Sequence, residues 1–163
     1  MTGGTAGGTG GAGSIGALVA ADPRAAIAQL RPVVADDPFN AGAQRLLGRA
    51  LRAVGRDEEA EVAELGAIRA ATRDPQMLSI AHALLEGDLQ SAEAELRARL
   101  ARQPSDVAAI RMMAELAGRL ARYRDSEALL RRALELAPGF TAARANLATV
   151  LYRQARYEEA AAV

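Results

Sequence analysis

Apolar positions recur along the chain with helical spacing. Ile110, Met113, Ala114 and Ala117 stand at i, i+3, i+4 and i+7, one face of a helix. The places 34 residues later hold Arg144, Leu147, Ala148 and Leu151, with Arg144 the one polar departure. Upstream, Leu47, Gly48 and Leu51 trace the same face. The pattern predicts helices over about 23–35, 40–54, 57–70, 75–86, 89–102, 106–120, 124–136 and 140–154, and a helical stub from 157. Asp106 and Thr141 are placed to cap helix starts, and Gly55 and Gly87 to end helices in a turn. Pro38 closes the first helix, while Pro32 inside it predicts a kink or an early end.

The punctuation is itself periodic. Pro104 and Pro138 lie 34 residues apart, and Gly87 and Ala92 follow Gly55 and Ala60 by 32. Arg122-Tyr123-Arg124-Asp125-Ser126 aligns with Arg156-Tyr157-Glu158-Glu159-Ala160, a short turn entering a second helix. Two-helix units cannot bury an apolar face alone; stacked neighbours share a continuous core. Small residues at Gly48, Ala60, Ala92, Ala114, Ala133 and Ala148 let the helices approach closely.

Leu47-Gly48-x2-Leu51, followed by Ala60, and Ala133 with Pro138 resemble the tetratricopeptide-repeat signature W-x2-L-G-x2-Y, A-x3-F, P. The Trp place is taken by Gln44, Gln76, Ile110 and Arg144, and the helix-B aromatic by Leu30, Leu96 and Leu130. The resemblance implies an all-α fold, a right-handed α-solenoid of antiparallel helix pairs. It assigns residues 17–163 to about 3.5–4 repeats, the last truncated, behind a flexible glycine-rich leader over 1–16.

Composition narrows the chemistry. The chain has 163 residues, 20 basic against 20 acidic, so no global field favours nucleic acid or membrane. There is no cysteine, one histidine (His82) and no lysine, every basic side chain being Arg. Disulfides, thiolate zinc sites, multi-histidine metal sites and lysine-dependent chemistry are excluded, and no metal or cofactor is expected. Gly8, Gly10 and Gly13 match G-x-G-x-x-G, but no strand can precede them, so the motif reads as a tail. The serines have no plausible His–carboxylate partner, and Asp57-Glu58-Glu59 and Glu158-Glu159 suit helix N-termini. No catalytic residue is assigned. With neither a signal peptide nor a membrane span, the expected location is cytoplasmic.

In the family it resembles, helix A of each repeat lines a concave face. The resemblance puts Arg45, Arg49 and Arg52 there in the first full repeat, Met77, Leu84 and Leu85 in the second, Arg111, Glu115 and Arg119 in the third, and Thr149, Tyr152 and Arg153 in the fourth. Arg suits bidentate contact with carboxylates. The expected partner is therefore a protein or peptide segment, acidic and extended, with Met77 and Leu84 beside Leu85 offering an apolar patch. The family's carboxylate clamp is not expected, because Arg45 and Arg49 occupy its places and the nearest candidate Asn is Asn146.

Two expectations concern what lies outside these residues. The stub from Tyr157 leaves Leu147, Leu151 and Tyr157 partly uncovered, which predicts either a longer parent protein or self-association through that end. The run from Gly87-Asp88-Leu89 through Leu129-Leu130-Arg131-Arg132-Ala133-Leu134 to Pro138-Gly139-Phe140 is similar to the repeat region of bacterial tetratricopeptide-repeat sulfotransferases. That resemblance implies a sulfotransferase domain, using a phosphoadenosine phosphosulfate donor, beyond Val163. The scaffold and the enzyme-arm readings stand side by side.

Overall fold

The turns between helices set the architecture. The computed structural model describes residues 11–163. Among them the order is α1 (Gly11–Ala21), α2 (Pro23–Asp36), α3 (Ala41–Ala53), α4 (Asp57–Ala71), α5 (Pro75–Glu86), α6 (Leu89–Arg102), α7 (Val107–Arg119), α8 (Tyr123–Leu136), α9 (Thr141–Arg153) and α10 (Tyr157–Ala162). The fold is all-α, in antiparallel pairs. Residues 1–10 of the expected leader lie outside the described residues, and its last six, 11–16, are helical in α1. What the sequence reads as a lone B helix over 23–35 therefore has a helical partner.

Four within-pair turns repeat one geometry. Gly55, Gly87, Ala121 and Ala155 all have positive φ, at 75°, 79°, 55° and 59°. After each, the next amide reaches back to close the helix end, as in Arg56 N to Leu51 O (3.0 Å) and Arg122 N to Ala117 O (2.9 Å). Gly tolerates this conformation, whereas Ala121 and Ala155 hold it against their Cβ atoms. Between pairs, Pro38, Pro104 and Pro138 sit inside turns closed by Asn40 N to Asp37 O, Asp106 N to Gln103 O and Phe140 N to Ala137 O, at 3.0–3.1 Å.

Asp106 caps α7, as expected, accepting from Ala109 N at 3.2 Å. Thr141 does not cap α9: it is the first helical residue, and the cap position holds Phe140, whose side chain offers no acceptor. Nor does Pro32 end α2, which continues to Asp36. Pro32 and Ala28 are both exposed, so the carbonyl that loses its donor can be hydrated instead.

The chain divides into two compact units, the first ending at Ala67 and the second running from Ile68 to Val163. In the first, Ile27, Leu30, Leu47 and Leu51 form the core with alanines from α2, α3 and α4. Gly48 makes the close packing possible: a Cβ there would lie 3.3 Å from the Ala60 carbonyl and 2.9 Å from Glu64 Cγ. Gln44, in the place of the family's Trp, is buried and donates to the Pro38 carbonyl at 3.2 Å. In the second unit Arg144 does the same to Pro138, at 2.6 Å. Gln44 and Arg144 thus tie helix A to the turn before it, whereas Gln76 at the same place accepts from Arg99 and Arg102 on α6.

The second unit has one core around Met77, Ile80, Leu84, Leu96 and Leu116, and another around Leu130, Phe140, Leu147 and Leu151. Two ionic clusters span it. Arg99, 4% exposed, donates from Nε to Asp106 (2.7 Å) and from Nη1 to Asp74 (2.7 Å). Both carboxylates are also N-caps, Asp74 accepting from Gln76 N and Met77 N at the start of α5. Burial works against the guanidinium's charge, but bonds to Asp106 and Asp74 outweigh it and keep Arg99 ionised. Glu127, 6% exposed, accepts from Arg156 (2.6 Å), Gln154 (2.8 Å) and Arg131, joining α8 to the α9–α10 turn. Burial pushes this carboxyl up, and the three donors overcome it, lowering it from 4.5 to about 2.

Three stability measurements follow. Ala121→Gly and Ala155→Gly should each stabilise the protein by about 0.5–1 kcal/mol, the relief of left-handed strain exceeding glycine's added freedom when unfolded, and raise the thermal midpoint. Arg99→Met should cost about 3–5 kcal/mol in urea unfolding, because the buried cluster with Asp74 and Asp106 loses the guanidinium that both carboxylates bond. Glu127 has a lowered folded-state pKa, so its contribution is complete above about pH 4.5 and is lost as pH falls toward 2. Glu127→Gln should therefore flatten the acid loss of stability across that window. At neutral pH it should be less stable than the parent by about 1–2 kcal/mol, a figure reduced for the solvent around Arg131 and Arg156.

Candidate functional site

Helix α7 turns Ile110, Met113, Ala114 and Ala117 into the core, as the spacing predicts. The flank it leaves open carries Arg111, Glu115, Gly118 and Arg119. Helix α9 buries Ala143, Leu147, Val150 and Leu151 and keeps Asn146, Thr149 and Arg153 accessible. These two flanks face one another across a groove of about 620 Å³, floored by Ala114, Leu130 and Val150.

The groove is cationic. Glu115 is its one carboxylate, shared by Arg119 at 2.8 Å and Arg111 at 3.5 Å. Arg119 also donates to the Leu84 carbonyl at 2.6 Å, near the C-terminal end of α5. Arg153 has no ionic or hydrogen-bonded partner among the described residues. Three guanidiniums against one carboxylate leave an excess of two positive charges, in a groove that Asn146 and Thr149 also line.

A second depression, of about 480 Å³, opens at the other end of α7. Ala81, Ala108 and Ala142 line it, and their short side chains leave the space. Met77, Met112 and Phe140, all buried, form its base, and Leu78 is exposed at its edge. Arg111 borders both depressions.

Of the residues expected to face a partner, Arg111, Arg119 and Arg153 come together here. Arg45, Arg49 and Arg52 stand on α3 in the first unit. Arg49 is exposed and Arg45 half-buried, but Arg52 is engaged: its fork binds both oxygens of buried Glu64, at 2.9 and 2.7 Å, and a third bond reaches Asp57 at 3.2 Å. The Glu64 hydrogen bond outweighs partial burial and raises the Arg52 pKa further. Tyr152 is exposed, but it does not line the groove; its ring meets Tyr157 edge-on at 5.1 Å.

Met77 and Leu84 require correction. They are 5% and 3% exposed, core residues rather than an open apolar patch. The cause is a rotation of α5. The places that hold Leu47, Met113 and Leu147 in other A helices hold Ser79 in α5, and the places of Leu51, Ala117 and Leu151 hold Ala83. Neither offers much to bury, so α5 buries Met77, Ile80 and Leu84 instead and leaves Leu78 and Leu85 outside. Asn146 escapes sequence reasoning because it lies off the family's groove positions; Ala81, Ala108 and Ala142 stand at positions the resemblance puts on the concave face, but the depression they leave is made by what alanine lacks.

His82 is largely exposed and lies 4.0 Å from Glu86. Ser126 is buried and donates to the Ala114 carbonyl at 2.7 Å, a packing role. Among the described residues no group of three or more acids or histidines is placed to hold a metal, and no helix is long and apolar enough to cross a membrane.

A tetratricopeptide-repeat family model matches residues 15–75 and 111–163. No curated protein matches the chain. Among solved structures, MamA 41-end from Desulfovibrio magneticus RS-1 is similar at 16% identity, with a TM-score of 0.50, covering 92% of this chain and 89% of that one. A crystal structure of MamA matches at 16% identity and TM-score 0.49, over 87% and 84% of the two chains. A MamA RS-1 double mutant matches at 17% and 0.49, over 92% and 88%. The first likeness supports the fold alone, and the matching model covers well over half of the sequence: the chain belongs to the tetratricopeptide-repeat family.

Proposed function

We propose that this protein is a non-catalytic interaction module that binds an acidic segment of a partner protein in the groove between α7 and α9. The observation that carries the reading is the excess of guanidinium over carboxylate there, with Arg153 unengaged and Arg111 held only loosely by Glu115. Arg forks pair with carboxylates in plane, and each charge-assisted bond contributes about 1.5–3 kcal/mol when water is partly excluded. The apolar floor of Ala114, Leu130 and Val150 excludes that water from below. A sulfotransferase parent rests on the resemblance of residues 85–163 alone, and none of the matches described supports it; no catalytic role is given to these residues.

The test is fluorescence polarisation with a labelled Asp/Glu-rich peptide that lacks large apolar residues. Arg111→Ala with Arg153→Ala should weaken binding at least tenfold. Arg124→Ala with Arg132→Ala, which removes the same charge outside the groove, should stay within twofold. Equal losses in the two double variants, or no binding by the parent protein, overturn the proposal.

A further inference from the structure

The two depressions along α7 differ in chemistry and meet at Arg111. One is cationic. The other has a base of Met77, Met112 and Phe140 and walls shortened to alanine. On α7 the apolar depression is bordered by Ala108 and Met112, and the cationic groove by Glu115 and Arg119. Each pair is offset from the other by about seven residues, or roughly 10 Å of helix. An extended peptide covers that distance in about three residues.

We infer that the two depressions form one bipartite site, which selects a partner segment carrying a bulky aliphatic residue about three positions from an acidic one. The inference rests on the reading of the cationic groove as a peptide site and adds a second determinant to it. Charge complementarity fixes one end of the segment. The other end is fixed by the space that Ala81, Ala108 and Ala142 leave above an apolar base, where a charged side chain would lose its hydration without gaining a partner. Arg111, between them, holds the acid at the junction while its stem covers part of the apolar wall.

The rotation of α5 contributes to this site. Burying Met77 puts its side chain at the base of the depression, and the same turn of the helix brings Leu78 to the rim. With the register of the other A helices, α5 would present different side chains here.

The experiment extends the polarisation assay with two further peptides, each carrying one Leu about three positions from an Asp-Glu pair, before it in one and after it in the other. Burying one Leu is worth about 1.5–3 kcal/mol, so one of the two should bind roughly tenfold tighter than its Leu→Ala counterpart. Doubling the spacing should abolish that gain. Leu78→Ser and, independently, Ala142→Gln should lower the affinity of the Leu peptide to that of its Ala counterpart. If both Leu peptides bind within twofold of their Ala counterparts, while Arg111→Ala with Arg153→Ala still weakens binding at least tenfold, the bipartite site is overturned and the acidic-segment reading survives. If no peptide binds, both fall.

Discussion

The buried guanidinium of Arg99 is the constraint on which the second unit depends. It comes from a B helix, α6, and is satisfied by two carboxylates that begin consecutive A helices, Asp74 on α5 and Asp106 on α7. Each acid divides its oxygens, one to its own helix's first turn and one to Arg99. Moving either helix along its axis would therefore break the ion pair to Arg99 or pull the acid off the helix end it caps. Desolvating three charges offsets much of what their attraction gains, so the cluster contributes register more than net stability. Register is what the apolar depression needs, since α5 and α7 both border it.

Turn chemistry made most helix boundaries legible. Prolines at 38, 104 and 138 and glycines at 55 and 87 mark where helices stop, and the structure differs from the expected limits by a residue or so at most of them; the matching left-handed turns at Ala121 and Ala155 carry no such signal. The misses have physical causes. Helix α1 is written in Gly, Ala and one Ser before its aliphatic residues, a composition that reads as a tail because little in it can be buried. Thr141 looks like a cap only if the helix starts one residue later than it does. Pro32 would break a helix whose far side were buried, but its loss falls on a hydrated flank.

Position on a helix predicts which way a side chain leaves the backbone and says little about what it meets. Arg52 and Arg111 both stand at places the resemblance puts on the concave face, seven positions apart in the repeat, yet Arg52 is held by both oxygens of Glu64, which stands 12 residues away on the next helix. Arg111 meets only a carboxylate four residues on, at 3.5 Å. The partner comes from the B helix: α4 carries Glu64 at the place where α6 and α8 carry Leu96 and Leu130. Whether an arginine is available to a partner depends on its neighbour helix, and a reading of A helices alone cannot separate the two cases. The α5 register fails for a related reason. The repeat pattern assigns Ser79 and Ala83 to the core, and burial of larger apolar groups overrides the pattern.

The absence of net charge bears on how such a groove works. Twenty positive and twenty negative groups cancel, so the protein has little field to steer a partner from a distance. Much of the acid is spent at helix starts, on Asp57, Glu58 and Glu59 in α4 and on the caps Asp74, Asp88 and Asp106, where it stabilises N-termini. What remains positive is local, two charges in one groove, and salt at physiological strength screens them beyond about 8 Å. Attraction that weak at range acts at contact, after an encounter has occurred by diffusion. Affinity then has to come from close fit of the carboxylate on the guanidinium forks and from apolar burial beside them. The second of these does not fade with salt, so a segment held by both would keep part of its affinity where a purely acidic one would lose it.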